Sequence, residues 1–379
     1  MARQLVVLLD GTNNQFGHTP TNVIRILHSL GTDPSEILAF YDQGVGTFGI
    51  REALFQWQKI PSRILGLAVG WGLDETVEAG YKFLASNYRD GDEIYLFGFS
   101  RGAYAVRALA AMIHALGLIQ PYQLNLFDYA WSILHVRLRS NDPQTDRQPD
   151  FPLQTSFRQT FGRVVPIKFL GIFDTVSSVG WIYNPLTIPY SANNPSVDAV
   201  RHAVSIDERR CFFRQNLWNP THPNLKEVWF AGVHSDVGGG YAPGESQLAL
   251  VAFRWMMGEA IAEGLHVDPV RYRSELSAEG AAIPDPLGML HKSLCGAWYI
   301  AEWIPRIAWS ASTRTRHIYI GAMPPFRKPR PRVIDAPILL HDSVKLRESS
   351  GIGYAPPNLT TPITVVADDP VPRQNNDLP

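Results

Sequence analysis

The stretch that decides the fold reads EIYLFGFSRGAYAVRALAAMIHALG at residues 93–117. Its apolar start, from Glu93 to Phe97, predicts a short buried strand. The alanine-rich run from Ala103 to Leu116 predicts a helix, which Gly117 ends. Between them stands Gly98-Phe99-Ser100-Arg101-Gly102. A Gly-x-Ser-x-Gly turn between a strand and a helix is the sequence pattern of a nucleophile elbow, although a chance match in an ordinary strand–helix turn is the alternative.

The elbow pattern predicts Ser100 as a nucleophile. The two glycines leave room for a sharp turn, because a Cβ at either position would collide with the neighbouring strand or helix. The turn directs the serine hydroxyl into open space at a helix N-terminus, where the helix dipole favours developing negative charge. The backbone N–H of Arg101 then faces the oxyanion of the reaction intermediate.

The rest of the chain alternates between strand and helix patterns. Apolar runs that end in polar residues predict further strands at Val6–Leu9, Ile37–Asp42, Val164–Phe173 and Glu227–Val233, with His317–Ile320 as the last one. Helical spacing predicts helices at Thr21–Ser29, Ile64–Tyr88, Ser196–Phe213 and Glu245–Ala262. This alternation predicts an α/β-hydrolase fold, a mostly parallel sheet with helices on both faces and helical cap insertions.

We expect one hydrolase domain over residues 1–350. Insertions at about 121–163 and 284–316 are expected to form a cap or lid, and residues 351–379 a proline-rich tail that is extended or frayed. The second insertion carries an aromatic stretch that includes Trp298, Tyr299 and Trp303. Such residues suit a lid or a surface that meets lipid, and equally a helical cap buried on the core.

Composition narrows the function classes. The chain has 379 residues, of which 45% are hydrophobic and 18% charged, with a net charge of −1. Near-neutral charge gives no electrostatic case for nucleic acid. Two cysteines exclude a disulfide framework. The sequence shows neither a signal peptide nor a membrane-spanning run, so a cytoplasmic location is expected, with signal-independent export still open. We expect no cofactor and no metal, and the sequence leaves the oligomeric state open.

Acid and base candidates follow the nucleophile in the order serine, acid, histidine. Asp174 and Asp236 both stand at predicted strand ends, where ligands of parallel sheets bind. Asp236 is the favoured acid because its strand is predicted two steps after the nucleophile strand, and Asp174 is the reserve. Five histidines are available as the base: His234, His266, His291, His317 and His341. His341 is favoured by its late position alone; His234 at a strand end and His291 in the insertion are set aside.

The turn after the first strand supplies the second oxyanion donor. Gly11 and Thr12 follow Asp10 there, and in α/β hydrolases this donor comes from an early strand–helix loop. Asp10 is expected to brace the turn. Gly11, Thr12 and Arg101 are therefore the predicted oxyanion residues.

Several motifs together resemble one family. Leu9-Asp10-Gly11-Thr12, Gly44-Val45-Gly46-Thr47, the elbow, Phe173-Asp174-Thr175-Val176 and the run from Val233 to Tyr241 occur in order, with His202-Ala203 before Asp207-Glu208-Arg209-Arg210. They are similar to the α/β-hydrolase-domain family that includes type VI secretion phospholipase effectors. His341-Asp342-Ser343-Val344 with Arg347 resembles its late element. The resemblance implies esterase or phospholipase chemistry with Ser100, Asp236 and His341 as the triad.

The predicted function is therefore hydrolysis of carboxylic esters through an acyl-enzyme, with a small-molecule or lipid ester as substrate and peripheral membrane contact. Two alternatives stay open. A metal-dependent hydrolase would use Asp10, Asp174, His234 and Asp236, because carboxylates and imidazole hold divalent ions. A non-catalytic binding module on a hydrolase fold is the other, because a fold does not determine a function.

Overall fold

The computed structural model of the chain describes residues 2–11, 19–44, 72–134, 150–176, 180–181, 184–185, 188–277, 283–296, 298–303, 306–310, 315–321, 330–335, 337–359 and 362–368. The strands are β1 Gln4–Leu9, β2 Ile37–Asp42, β3 Glu93–Phe99, β4 Leu118–Ile119, β5 Gly162–Arg163, β6 Ile167–Phe173, β7 Gly180–Trp181, β8 Asn184–Pro185, β9 Val197–Ser205, β10 Leu225–Phe230, β11 Arg306–Ser310, β12 Thr315–Tyr319, β13 Ile338–His341 and β14 Ile363–Val366.

Ten α-helices cover these strands in the described residues. They are α1 Asn22–Ser29, α2 Leu73–Asn87, α3 Arg101–Leu116, α4 Phe127–Leu134, α5 Phe151–Phe161, α6 His234–Gly238, α7 Gln247–Ala262, α8 Pro269–Ser277, α9 Trp298–Ala301 and α10 Asp342–Ser349. Three short 3₁₀ helices occur in the described residues, at Pro121–Leu126, Cys211–Phe213 and Pro243–Glu245. None of the helices in the described part of the chain combines the length and the apolarity that crossing a bilayer requires.

Eight parallel strands form the central sheet in the order β14-β13-β10-β9-β6-β3-β1-β2. Alternate side chains of β1 enter two different cores. Leu5 and Val7 pack with α2 and α3 on one face, whereas Val6 and Leu8 pack with α1 and α7 on the other. Helices on both faces of a parallel sheet are the architecture expected from the alternating sequence pattern, and the predicted α/β fold is confirmed.

The largest difference from the sequence prediction is β9. Residues 196–213 were predicted as a helix, but Val197–Ser205 form a strand between β6 and β10. The strand carries Arg201 and His202, both buried. The guanidinium of Arg201 pairs with Glu259 of α7, and His202 bonds Glu227 of β10 at 2.8 Å. These partners lie far along the chain, so a local pattern does not show that the polar residues are satisfied inside a sheet.

The structure of the segments predicted as insertions and tail also differs in part from the sequence prediction. Residues 121–134 and 151–163 form α4, α5 and short neighbouring elements, which pack against α3. The last predicted strand, His317–Ile320, overlaps β12, which pairs with β11 in a separate hairpin. The central sheet instead ends with β13 and β14, and β14 lies inside the segment predicted as an extended tail.

Candidate active site

Ser100 occupies a strained turn at the carboxyl end of β3. Its backbone has φ 60° and ψ −119°, a left-handed conformation that side chains rarely adopt. The Ser100 N–H donates to the carbonyl of Phe173 on the neighbouring strand at 3.1 Å. A Cβ on Gly98 would lie 2.6 Å from the carbonyl oxygen of Gly102, and one on Gly102 would lie 2.1 Å from that of Leu9. The close packing of three backbone segments therefore requires glycine at both positions.

The loop after β1 is organised by the buried carboxylate of Asp10. Gly11 N–H donates to its Oδ1 at 2.6 Å, and the hydroxyls of Thr21 and Tyr41 donate to its Oδ2 at 2.5 and 3.1 Å. The predicted bracing role of Asp10 agrees with these bonds. The Gly11 N–H is thereby engaged, so the structure does not offer it as an oxyanion donor. Thr12, the other residue predicted there, lies outside the described residues.

Asp174 follows β6, and its carboxylate binds the imidazole of His234 and the guanidinium of Arg332. Its Oδ2 lies 2.6 Å from Nδ1 of His234, and Arg332 donates to both carboxylate oxygens at 2.5 and 2.9 Å. Ser205 N–H donates to Oδ1 at 2.9 Å. Burial by itself would raise the pKa of Asp174, but the Arg332 charge and the His234 hydrogen bond hold that pKa well below its usual range. Asp174 is therefore an ionised carboxylate with every oxygen engaged.

His234 packs behind the nucleophile turn. Its ring lies between Phe99 and Phe213, with centroid distances of 4.6 and 4.8 Å. Burial lowers the pKa of His234 despite the neighbouring Asp174. The ring is therefore neutral at physiological pH and donates its Nδ1 proton to Asp174. Phe99 directly precedes Ser100, so the packing of His234 on Phe99 holds in place the residue from which the nucleophile turn starts.

Asp236 forms a second carboxylate–imidazole pair, with His291. Oδ1 of Asp236 lies 2.6 Å from Nδ1 of His291, and Oδ2 accepts from the backbone N–H groups of Val233 and His291 at 3.0 and 3.2 Å. The ring of Tyr241 stacks on His291 at 3.6 Å between centroids. Burial raises the pKa of Asp236 above its ordinary value. Nε2 of His291 is buried and has no hydrogen-bond partner among the described residues.

His341, the predicted base, has different partners. Its ring is fully buried and stacks on Phe230, with Nδ1 2.8 Å from the Ser343 hydroxyl and Nε2 3.0 Å from Oδ1 of Asp368. Ser343 N–H also donates to Nδ1, which caps the start of α10. Both ring nitrogens are engaged in this way. The hydrogen bonds thus pair Asp236 with His291, and the predicted pairing of Asp236 with His341 is not the one in the structure.

Glycines 238–240 place these pairs at one edge of the sheet. A Cβ on Gly238 would lie 1.9 Å from the Phe99 ring. Gly239 pairs with Thr21, and Gly240 N–H donates to the Pro20 carbonyl at 3.2 Å. The segment that carries His234 and Asp236 therefore runs between Phe99 and the start of α1. As predicted from strand ends, residues from four strand–loop junctions meet at the carboxyl edge of the sheet.

Three residues that sequence reasoning did not assign support this edge. Arg332 lies in a segment without helix or strand and neutralises Asp174. His202 accepts from Thr175 N–H at Nε2 and fixes the residue after Asp174. Glu208 accepts from His234 N–H at 3.2 Å and from the Ser293 hydroxyl at 2.8 Å. Only the sequence context of His202 and Glu208, within the quoted motifs, offered a signal.

The other candidates take different positions. His266 bonds through its backbone N–H to Gln4, and His317 lies in β12. Among the described residues, no three His, Cys, Asp or Glu side chains converge as a metal site would require. The four residues named for a metal-dependent hydrolase are divided among three hydrogen-bond systems, centred on Asp10, Asp174 and Asp236.

The described part of the predicted lid packs beside the site. Trp298 of α9 meets Phe213 edge-on at 5.3 Å, and the Arg210 guanidinium lies 4.8 Å from the Trp298 ring. Cys211 N–H donates to Glu302 at 2.7 Å. Tyr299 and Trp303, in contrast, are 40% and 50% exposed. The segment therefore both covers the residues that pack on His234 and presents aromatic rings to solvent.

The sheet, the strained serine turn and the adjoining carboxylate–imidazole pairs define a protein of the α/β-hydrolase class. The chain belongs to the family of Tle1-like phospholipase effectors of the type VI secretion system, whose catalytic-domain profile matches residues 3–259. This confirms the resemblance drawn from the motifs, and the family is one of lipid ester hydrolases.

The chain is also similar to three individual proteins. The uncharacterized protein YEL023C of Saccharomyces cerevisiae is 33% identical over 226 residues, which cover 58% of this chain and 33% of the yeast protein. An uncharacterized protein from Pseudomonas aeruginosa has a TM-score of 0.43 at 20% identity, over 74% of this chain and 49% of that one. The Tle1 effector bound to the VgrG spike has a TM-score of 0.34 at 19% identity, over 65% and 53%.

Proposed function

We propose that this chain is a serine hydrolase that cleaves acyl esters of lipids or phospholipids, with Ser100 as nucleophile, His291 as general base and Asp236 as the acid that orients it. The observation that carries the proposal is the 2.6 Å bond between Asp236 and Nδ1 of His291, which leaves a buried Nε2 without a hydrogen bond in the described residues, 3.9 Å from Oε2 of Glu245. A base that must accept the serine proton needs that nitrogen available.

The proposed reaction has two halves. His291 Nε2 takes the proton from the Ser100 hydroxyl as the oxygen attacks the ester carbonyl, and the carbonyl oxygen becomes an oxyanion. Collapse of this intermediate transfers the proton from His291 to the leaving alcohol and leaves an acyl group on Ser100. Water then attacks the acyl-enzyme with His291 again as base, and the fatty acid is released.

The oxyanion is held by backbone N–H groups. Arg101 is the first residue of α3, and first-turn N–H groups have no partner within a helix. The second donor is proposed to come from the loop beyond Gly11, whose own N–H is engaged by Asp10. Asp10 then acts as the residue that sets the position of this loop.

Asp174 and His234 take a supporting role in this proposal. Asp174 is neutralised by Arg332, and the His234 ring is enclosed by two phenyl rings. A histidine that becomes cationic during catalysis is stabilised by a carboxylate available to it, which Asp236 provides for His291. Asp174 remains the reserve acid, with His234 as its base.

A lipid substrate is supported by the family and by the lid. Exposed Tyr299 and Trp303 are the residue types that enter membrane interfaces. We infer peripheral contact of this segment with a lipid surface.

The test combines labelling with hydrolysis. A fluorophosphonate probe should label the wild-type chain and not Ser100→Ala, while both unfold at the same temperature. Ser274→Ala is the matched control, since this exposed hydroxyl of α8 bonds only the Arg271 carbonyl. Release of fatty acid from phosphatidylglycerol–phosphatidylethanolamine vesicles should follow the same pattern. Hydrolysis that survives in Ser100→Ala and stops with a chelator would instead support the metal-dependent alternative.

A further inference from the structure

The proposed base lies in a loop that the hydrophobic core does not hold. His291 belongs to residues 283–296, which form neither helix nor strand. Three apolar side chains of this loop, Ile283, Leu287 and Met289, are exposed, and none of its residues belongs to the cores on either face of the sheet. A general base must be held closely in place to react, so polar contacts have to fix this loop.

Arg347 of α10 holds the loop on the side before His291. Its Nη1 donates to the carbonyl oxygens of Pro286 and Gly288, at 2.7 and 2.8 Å. The Arg347 side chain is buried, and its guanidinium lies 5.3 Å from the centre of the Tyr354 ring. One buried nitrogen therefore binds two carbonyl groups of the loop, the nearer of them three residues before the base.

Arg347 and the loop are themselves held by other contacts. The Tyr354 hydroxyl donates to Asp207 at 2.8 Å, which fixes the ring on which Arg347 packs. On the loop side, Gly288 lies against Gln247, the first residue of α7, and an added Cβ would be only 2.4 Å from the Gln247 Cβ. The bonds of Nη1 therefore join two segments that have further attachments to the fold.

Glu208 holds the loop on the other side of His291. Its Oε1 accepts from the Ser293 hydroxyl at 2.8 Å, and its Oε2 accepts from the His234 N–H at 3.2 Å. Burial by itself would raise the pKa of Glu208, but the hydrogen bond and the charge of Arg210 lower that pKa to about 2. An ionised carboxylate therefore connects the loop to the segment that carries His234.

We propose that Arg347 and Glu208 are positioning residues, which hold the loop from both sides and so keep the imidazole of His291 against Asp236. This inference rests on the proposed function, because it concerns the base of that reaction. Two attachments, one before and one after the base, restrict rotation of the segment between them, which a single attachment would permit. Both residues act through the 2.6 Å bond between His291 and Asp236 and not on the substrate.

The spectroscopic test follows the proton between His291 Nδ1 and Asp236 by NMR of the full chain. An imidazole–carboxylate bond of 2.6 Å gives a proton resonance far downfield. His291→Ala identifies this resonance by its loss, and the equally short bond of His234 to Asp174 supplies an internal reference. Arg347→Met should shift or abolish the His291 resonance and leave the His234 resonance in place. An unchanged His291 resonance would overturn the inference.

The kinetic test uses the same variant. Arg347→Met should lower kcat about tenfold to a hundredfold, because displacement of a reacting group by about 1 Å has an effect of this size. KM should stay within about twofold of wild type, since the contacts that bind the ester are unchanged. A rise in KM at unchanged kcat would contradict a positioning role.

Arg163→Met is the matched control. Like Arg347, Arg163 donates to backbone carbonyls, those of Leu118 and Tyr88 among them, and packs on a tyrosine ring. It belongs to β5, beside the C-terminal end of α3, whereas Ser100 precedes the start of that helix. Arg163→Met should keep the wild-type kcat and the His291 resonance. An equal fall of kcat in both variants would mean that Arg347 has only a general structural role.

Two milder variants apply if Arg347→Met does not fold. Ser293→Ala removes only the hydroxyl that binds Glu208 and should shift the His291 resonance and lower kcat, with Ser274→Ala as its control. Arg347→Lys should retain both, because one nitrogen makes both bonds of Arg347 and an ammonium group has three donors. Wild-type behaviour of Ser293→Ala in both readouts, or a loss of the resonance in Arg347→Lys, would refute the inference.

The resonance also separates this inference from the proposed function. It reports the bond between His291 and Asp236 whether or not the chain hydrolyses an ester. If wild-type protein neither reacts with fluorophosphonate nor releases fatty acid, the proposed function fails. The position of His291 is then decided by the resonance alone: a shift in Arg347→Met supports the inference, and an unchanged signal overturns it.

Discussion

Nδ1 of His291 lies 2.6 Å from Oδ1 of Asp236, while His341 bonds Asp368 and Ser343. The two histidines are therefore held by different parts of the fold, His291 in the loop beside Asp236 and His341 at the carboxyl end of β13, against α10 and the residues after β14. This division predicts that their substitutions have different effects.

His291→Ala is expected to lower kcat by roughly 10⁴, the loss that follows when a triad is disrupted. The reason is that Ser100 loses its proton acceptor. His341→Ala should instead lower the midpoint of thermal unfolding, because a buried ring and its three hydrogen bonds are removed. Activity per folded molecule, measured after titration of active sites with fluorophosphonate, should stay close to wild type in His341→Ala. A folded and inactive His341→Ala protein would restore His341 as the base.

The two buried carboxylates are expected to differ in how much stability their neutralisation costs. Asp174→Asn leaves the Arg332 charge buried without its counter-charge and should cost about 3–5 kcal/mol of unfolding free energy. The partners of Asp236 are His291 and the backbone N–H of Val233, so Asp236→Asn leaves no buried arginine unpaired and should cost less unfolding free energy than Asp174→Asn. The kcat of Asp236→Asn should nevertheless fall by about 10⁴, because the amide no longer stabilises the histidine cation.

Urea unfolding of both variants beside wild type measures this contrast. A large loss of stability in Asp236→Asn, equal to that in Asp174→Asn, would show that the structure misassigns the two roles.

Stability should fall with acid in two stages. The pKa of His234 is lowered in the folded protein, so the unfolded chain takes up a proton first as pH falls through about 6.5, and folding becomes less favourable. The pKa of Asp174 is also lowered, and its contribution is present above an unfolded value of about 3.9 and lost below it.

Unfolding free energies measured between pH 8 and pH 3 should therefore decline first near neutrality and again in the acid range. Asp174→Asn should lack the second decline at this site. A wild-type profile that is flat from pH 7 to pH 5 would contradict the first stage.

Gly102→Ala is expected to abolish fluorophosphonate labelling. The new Cβ would lie 2.1 Å from the carbonyl oxygen of Leu9, which is backbone and cannot rotate away. The turn at Ser100 must shift or the protein must lose stability, by about 3 kcal/mol or more. Gly244→Ala is the matched control, since nothing lies within 4 Å of its added Cβ. Normal labelling of Gly102→Ala at wild-type rate would show that the turn is not as tightly packed as the structure has it.

The sequence was sufficient where structure is local. The strand, the Ser100 turn and the helix after it could be predicted because their residues are contiguous and the two glycines identify the turn. The strand β9 could not be predicted in this way. Its buried Arg201 and His202 are tolerated inside the sheet because Glu259 and Glu227, far along the chain, pair with them. Missing this strand also misplaced Asp236, which follows the third strand from β3 in the sheet rather than the second.

The base could not be chosen from the sequence for a similar reason. His291 lies in a segment without helix or strand, 55 residues after Asp236, and only the folded loop brings the two together. His341 follows a strand and so fits the expected position better. Its other partner, Asp368, belongs to the segment predicted as a frayed tail.

The position of β14 has a consequence for synthesis of the chain. β13 pairs with β10 on one side and with β14 on the other, and β14 is translated more than twenty residues later. Until residues 363–368 leave the ribosome, β13 is an open parallel edge and His341 lacks the Asp368 carboxylate. A nascent chain therefore exposes backbone donors and acceptors that another strand can pair with, and chaperone binding at this stage would protect it from aggregation.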